Sequence, residues 1–161
     1  MSKKQTRKKK ARAFWAMNAA GFRAIGRFTF ELSQLEFSIR AVLAGHLELP
    51  AKYFDIVTAP YDFAMLCKVF REVVGADKSN AQKKQLERWC DACLALNTER
   101  VRIAHGTWTL GSEGPSARVV SRSTLKPKSY FGTPEEIDRL SDEAEHLKGQ
   151  TIVVSGLSGD P

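Results

Sequence analysis

Cysteine is scarce in this chain of 161 residues, and its three copies, Cys67, Cys90 and Cys93, make an odd set. An odd number cannot all pair within one chain, which argues against a disulfide framework and for reduced thiols in a cytoplasmic compartment. Cys90 and Cys93 form a Cys-x-x-Cys, but no second Cys pair or His pair completes the four ligands of a structural zinc. The sequence thus predicts no metal and no cofactor; the two thiols lie one helical turn apart among Leu86, Trp89 and Leu94, as core residues do. A long apolar run is missing as well. Arg27, Glu31, Glu36 and Arg40 interrupt the most hydrophobic region, so no window offers the roughly twenty apolar residues of a membrane-spanning helix. The stretch after the basic N-terminus is broken by Asn18 and Arg23, which excludes a secretory signal. No internal repeat is visible, and the expectation is a soluble cytoplasmic protein with no membrane partner.

Acidic residues are absent where basic ones are densest. The chain carries 25 Lys and Arg against 18 Asp and Glu, a net charge of +7, and Lys3, Lys4, Arg7, Lys8, Lys9, Lys10 and Arg12 account for the whole excess. A run of like charge repels itself, so residues 1–18 are expected to form a disordered basic tail. Such a tail attracts polyphosphate, which makes its seven cations candidate nucleic-acid contacts; a solvated tail without specific contacts is the alternative.

What remains is enough for one core, since 43% of the residues are hydrophobic. The spacing of Phe22, Ile25, Phe28, Leu32, Leu35, Ile39, Val42 and Leu43 predicts a long amphipathic helix closed by Pro50. Pro60 opens a second, carrying Phe63, Leu66, Cys67 and Phe70, with Gly75 as its stop. Ser79 or Asn80 caps a third helix over about 81–104, which Gly106 ends. The period then changes. Thr107–Leu110 and Ala117–Arg122 are short β-branched segments flanking Gly111–Pro115, the pattern of a β-hairpin. A loop through Pro127 and Gly132 leads to Thr133-Pro134-Glu135-Glu136, an N-cap, first-turn proline and capping-box glutamate that start a fourth helix running to about Lys148. Residues 151–154 read either as a last strand or as a helical extension. The predicted organisation is a mainly-α, up-and-down bundle of four or five helices with a small β-hairpin after the third, as one domain over 19–150 with a C-terminal extension over 151–161.

Projected at about 100° per residue, the third helix places Asn97 and Arg100 in the same arc as Leu86, Cys90 and Cys93, facing inward or toward a partner. An arginine stays charged at ordinary pH, so in such a place it must meet a carboxylate, a phosphate or a groove open to water. Arg102 points to the opposite side. His105 follows just before the terminating glycine, where the chain can bend its imidazole back toward Arg100. A fixed cation that holds phosphate and a side chain that exchanges protons near neutral pH are a sensible chemical pair. Glu36, on the first helix, is either the carboxylate that holds Arg100 or an i,i+4 partner of Arg40.

The string Glu99-Arg100-Val101-Arg102-Ile103-Ala104-His105-Gly106-Thr107-Trp108 resembles the Glu-Arg-Asn-x-Ile-Ala-His-Gly-x-Trp string of the HEPN superfamily, helical bundles with an Arg-x4–6-His motif at the end of one long helix. The resemblance covers about ten residues, and the order of elements agrees with it. It implies a metal-independent endoribonuclease in which two chains bring two motifs into one cleft, hence a homodimer here, with a role in a toxin or phage-defence setting. His105 would transfer the proton and Arg100 would clamp the phosphate. One position departs from the pattern: Val101 stands where catalytic members carry a polar residue that orients the pair, and Asn97, one turn earlier, is the candidate substitute. Two other readings stay open. One is a non-catalytic module of the same family that binds RNA, a nucleotide or a protein partner such as an antitoxin; the other is a helical scaffold in which Arg100 is paired with Glu36.

Overall fold

A computed structural model describes residues 3–111, 114–120 and 127–156. The fold is a mainly-α helical bundle with a small antiparallel sheet inserted after the fourth helix. In chain order the elements are α1 (Lys3–His46), a single 3-10 turn (Ala51–Tyr53), α2 (Phe54–Thr58), α3 (Phe63–Gly75) and α4 (Asn80–His105). There follow β1 (Thr107–Gly111), β2 (Gly114–Val120), β3 (Pro127–Tyr130) and α5 (Pro134–Ser155). Among the described residues no helix is long and apolar enough to cross a membrane.

The chain divides into two compact units, each assembled from separated stretches of sequence. The second unit, 31–98 with 143–161, holds most of the core. Leu32, Leu35, Ile39 and Leu43 of α1, Leu66 and Phe70 of α3, Leu86, Trp89 and Leu96 of α4, and Ala144 and Leu147 of α5 are all buried. Phe70 and Trp89 pack ring to ring at 5.3 Å, and the Trp89 indole N–H donates to the Leu147 carbonyl at 3.1 Å, so the one polar atom of that large side chain is satisfied. The first unit, 1–30 with 99–142, has a smaller core of Ala24, Phe28, Ile103 and Ile137. Asn18 is also fully buried there, and its Nδ2 donates to the carbonyls of Phe14 and Gly111, tying α1 to the end of β1.

Three boundaries differ from the sequence expectation. The first helix begins at Lys3, so from there on the basic segment assigned to a tail over 1–18 forms its opening turns. Lysine, arginine, glutamine and alanine are strong helix formers, no Gly or Pro interrupts them before Gly21, and helix propagates from a packed portion far more easily than it nucleates. The other end of α1, at His46 ahead of Pro50, is where the spacing places it. Glu48 adopts φ 49°, its N–H bonds the Gly45 carbonyl, and that of Leu49 bonds Ala44, the left-handed helix ending usually given to glycine. The hairpin gains a third strand. β2 pairs antiparallel with β1 (Thr107 opposite Arg118) and with β3 (Ala117 opposite Tyr130), and Pro127 is tolerated because β3 is an edge strand. Ser121 and Arg122, placed in the second strand from sequence, lie outside the described residues. Finally α5 runs past Lys148 to Ser155, which makes Thr151–Val154 helix and carries it across the expected boundary at 150. Thr151, Val154 and Ser155 are buried at helical spacing, and the Thr151 hydroxyl donates to the Leu147 carbonyl, so packing overrides the weak helix propensity of β-branched residues.

Candidate functional site at the end of the fourth helix

α4 is secured at its start by a reciprocal cap. The Ser79 hydroxyl accepts from the Gln82 N–H, and Gln82 Oε1 accepts from the Ser79 N–H at 3.0 Å, which selects Ser79 over Asn80 as the capping residue. Leu86, Trp89, Cys90, Cys93 and Leu96 then set the buried arc. Arg100 falls on the same arc, as the projection predicts, but the arc is uncovered in the last turns. Arg100, Ala104 and His105 are exposed, Val101 is 41% exposed, and only Ile103 on that stretch is buried. Of the surroundings open to Arg100, contact with water is the one observed: burial of the arc ends before the motif, and a guanidinium in contact with water needs no buried counter-charge. Asn97 is half-buried and belongs to the second unit, whereas Arg100 and His105 belong to the first.

The motif's ends are held by the sheet. The Gly106 N–H bonds back to the Arg102 carbonyl at 2.9 Å, and the Trp108 indole N–H donates to the Ile103 carbonyl at 2.9 Å, occupying carbonyls that a helix terminus leaves unpaired. Trp108 stacks on Phe131, with ring planes 15° apart. Arg102 forms an ion pair with Glu99 and lays its guanidinium over the Tyr130 ring at 4.5 Å. Arg102 is therefore the positioning cation of the segment, fastening α4 to β3, while Arg100 and His105 are the solvent-facing pair. Tyr130 and Phe131 were not singled out from sequence. Two adjacent aromatics before Gly132 were the available signal, masked because Pro127–Tyr130 has no apolar alternation to mark a strand.

Glu36 pairs with Arg40 one turn away on α1, and Arg40 also donates to the Tyr61 carbonyl at 3.3 Å. Of the two roles open to Glu36, the i,i+4 pairing is the one observed. The basic residues Arg7, Lys8, Lys9, Lys10 and Arg12 are exposed along α1, and Lys3 and Lys4 lie in its first turn.

The cysteines cluster in the second unit. All three are buried, and the Cys90 thiol contacts the Cys67 carbonyl at 3.8 Å. Burial, reinforced by the neighbouring Cys67, pushes the Cys90 thiol up to about 12. Cys93 is raised as well, by its hydrogen bond with Cys67 and by burial. All three thiols thus sit in the core, where their spacing on the helices placed them. Among the described residues no group of His, Cys, Asp or Glu is arranged to hold a metal ion. Compared with family models, curated proteins and solved structures, the chain matches none.

Proposed function

We propose that this chain is a HEPN-like protein that cleaves RNA without a metal, acting as a homodimer through Arg100 and His105. The observation that carries the reading is the exposure of both side chains on the terminal turns of α4, with Arg100 on the arc that is buried higher up the same helix and His105 at the last residue before the chain turns into β1. That arc is where a substrate phosphate can reach Arg100, or where a second copy can bring its own motif alongside. In the reaction His105 takes the proton of a ribose 2′-hydroxyl, and the 2′-oxygen bonds to the adjacent phosphorus. The bond to the 5′-oxygen breaks, and the imidazolium of the second copy returns a proton to the leaving oxygen. The products are a cyclic phosphate and a 5′-hydroxyl. Arg100 stabilises the charge on the non-bridging oxygens.

The test is cleavage of single-stranded RNA by purified protein in excess EDTA, with the product ends identified. Arg100→Ala and His105→Ala should each slow cleavage by about 10²-fold or more. Unchanged activity in both variants would remove the assignment.

Val101 favours a second reading. An exposed valine offers no hydrogen bond to orient an imidazole or a water, whereas catalytic relatives have a polar residue there. A non-catalytic module that binds RNA, a nucleotide or a protein partner follows if pure protein binds and does not cut. A helical scaffold is the third reading, in which Arg100 serves the fold; Glu36 itself is paired with Arg40.

A further inference from the structure

The first thirty residues contain nine Lys and Arg and no Asp or Glu; the first acidic residue of the chain is Glu31. Because α1 is continuous from Lys3, the phase of these cations relative to the apolar residues that follow is defined. At about 100° per residue, Lys8, Arg12, Trp15, Phe22 and Arg23 fall within one arc of about 100°. All five are exposed, Trp15 at 62% and Phe22 at 53%. Trp15 packs near-perpendicular to Phe14, with ring planes 85° apart, and most of the indole stays open to solvent. One turn beyond Phe22 the surface is open: a methyl group added at Gly26 would meet no atom within 4 Å. Arg27, off this arc, is already engaged by Asp138 and Asp142.

We infer that this face of α1 is a binding surface for single-stranded nucleic acid, on which bases stack against Trp15 and Phe22 while Lys8, Arg12 and Arg23 hold the phosphates. Charge complementarity selects this occupant. A polyanion is drawn to a segment with no acidic residue, and unpaired bases supply the flat faces that exposed aromatics accept. The other occupants fit less well. A membrane-surface helix keeps its cations away from its apolar face, whereas Arg12 and Arg23 lie among the aromatics here. A second copy would bring Lys8, Arg12 and Arg23 against their own like charges. A duplex hides the base faces on which the aromatics act. The inference extends the RNA reading above and rests on it for the choice of RNA as ligand, but it does not need cleavage.

The experiment is fluorescence anisotropy of a labelled oligouridylate with the full chain carrying His105→Ala, so that loss of binding and loss of cleavage are separate results. Trp15→Ala and Phe22→Ala should each weaken binding roughly tenfold, and Trp15→Phe should bind close to the parent. Arg12→Ala and Arg23→Ala should each lower the salt dependence of log K by about 0.7. Binding of an RNA duplex of equal length should be insensitive to Trp15→Ala. All these positions are exposed, and thermal melts verify folding. Three results would overturn the inference: oligouridylate affinity unchanged by both aromatic variants; anionic phospholipid vesicles that capture the parent chain and not Trp15→Ala while RNA binding is unaffected; or a dimer that Phe22→Ala dissociates in sedimentation.

Discussion

Arg100 and Cys90 lie on the same arc of α4 and have opposite relations to water. Truncating an exposed arginine opens no cavity and strands no buried charge, so Arg100→Ala and His105→Ala should each leave stability within about 0.5 kcal/mol of the parent in thermal melts, while activity on RNA falls. At the same site Val101→Asn should raise the cleavage rate, because an amide there can orient the pair; an unchanged rate would show that position 101 plays no such part. Cys90 behaves differently. Its thiol is raised from 9.0 to about 12 in the folded chain, so the unfolded chain releases this proton first. The stabilisation is complete below about pH 9 and declines as pH rises toward 12. Denaturant midpoints measured between pH 8 and pH 11 should fall, and replacing Cys90 with Ala should flatten that decline. Of the residue-level expectations, the core role of the cysteines was legible because burial and spacing go together. The choice among the surroundings open to Arg100 was not, since a helical projection gives the arc and says nothing about where its cover ends.

At the scale of elements, helix ends carry the sharpest consequences. Glu48 holds φ 49°, a conformation in which a side chain is strained and glycine is not. Glu48→Gly should therefore raise the melting temperature, by the equivalent of up to about 1 kcal/mol. Trp108 is the complementary case. Trp108→Phe keeps an aromatic ring against Phe131 and removes the N–H that meets the Ile103 carbonyl, so it should cost about 1 kcal/mol and speed amide exchange in β1. The long helices were legible because their apolar residues recur at steps of three and four, and the start of α5 because Thr133-Pro134 and Glu136 form a local signal. There the glutamate reaches one residue further back than a capping box requires, to the Gly132 N–H at 2.7 Å. The start of α1 and the strand β3 were not legible. Like charges argue for a tail when read locally, and a short edge strand is defined by its partner β2 rather than by its own composition.

For the whole molecule the consequence of the proposed chemistry is assembly. With one Arg-x4-His motif per chain, the proposed chemistry needs two copies, so sedimentation at concentrations used for cleavage should show a dimer, and dilution to monomer should abolish activity. Activity that persists in a monomer would limit the site to one chain and change the mechanism. The sequence by itself determined the mainly-α class, the order of the principal elements, the concentration of charge at the N-terminus and the chemical identity of the Arg100–His105 pair, because these depend on periodicity, on local turn chemistry and on which side chains are present. Only the tertiary structure decided that the chain divides into two units, that Glu36 belongs to Arg40, that Arg102 is fastened over Tyr130, and that the motif's arc is open to water. Those outcomes depend on which distant segments cover a given surface, and coverage is a property of packing that no local pattern encodes.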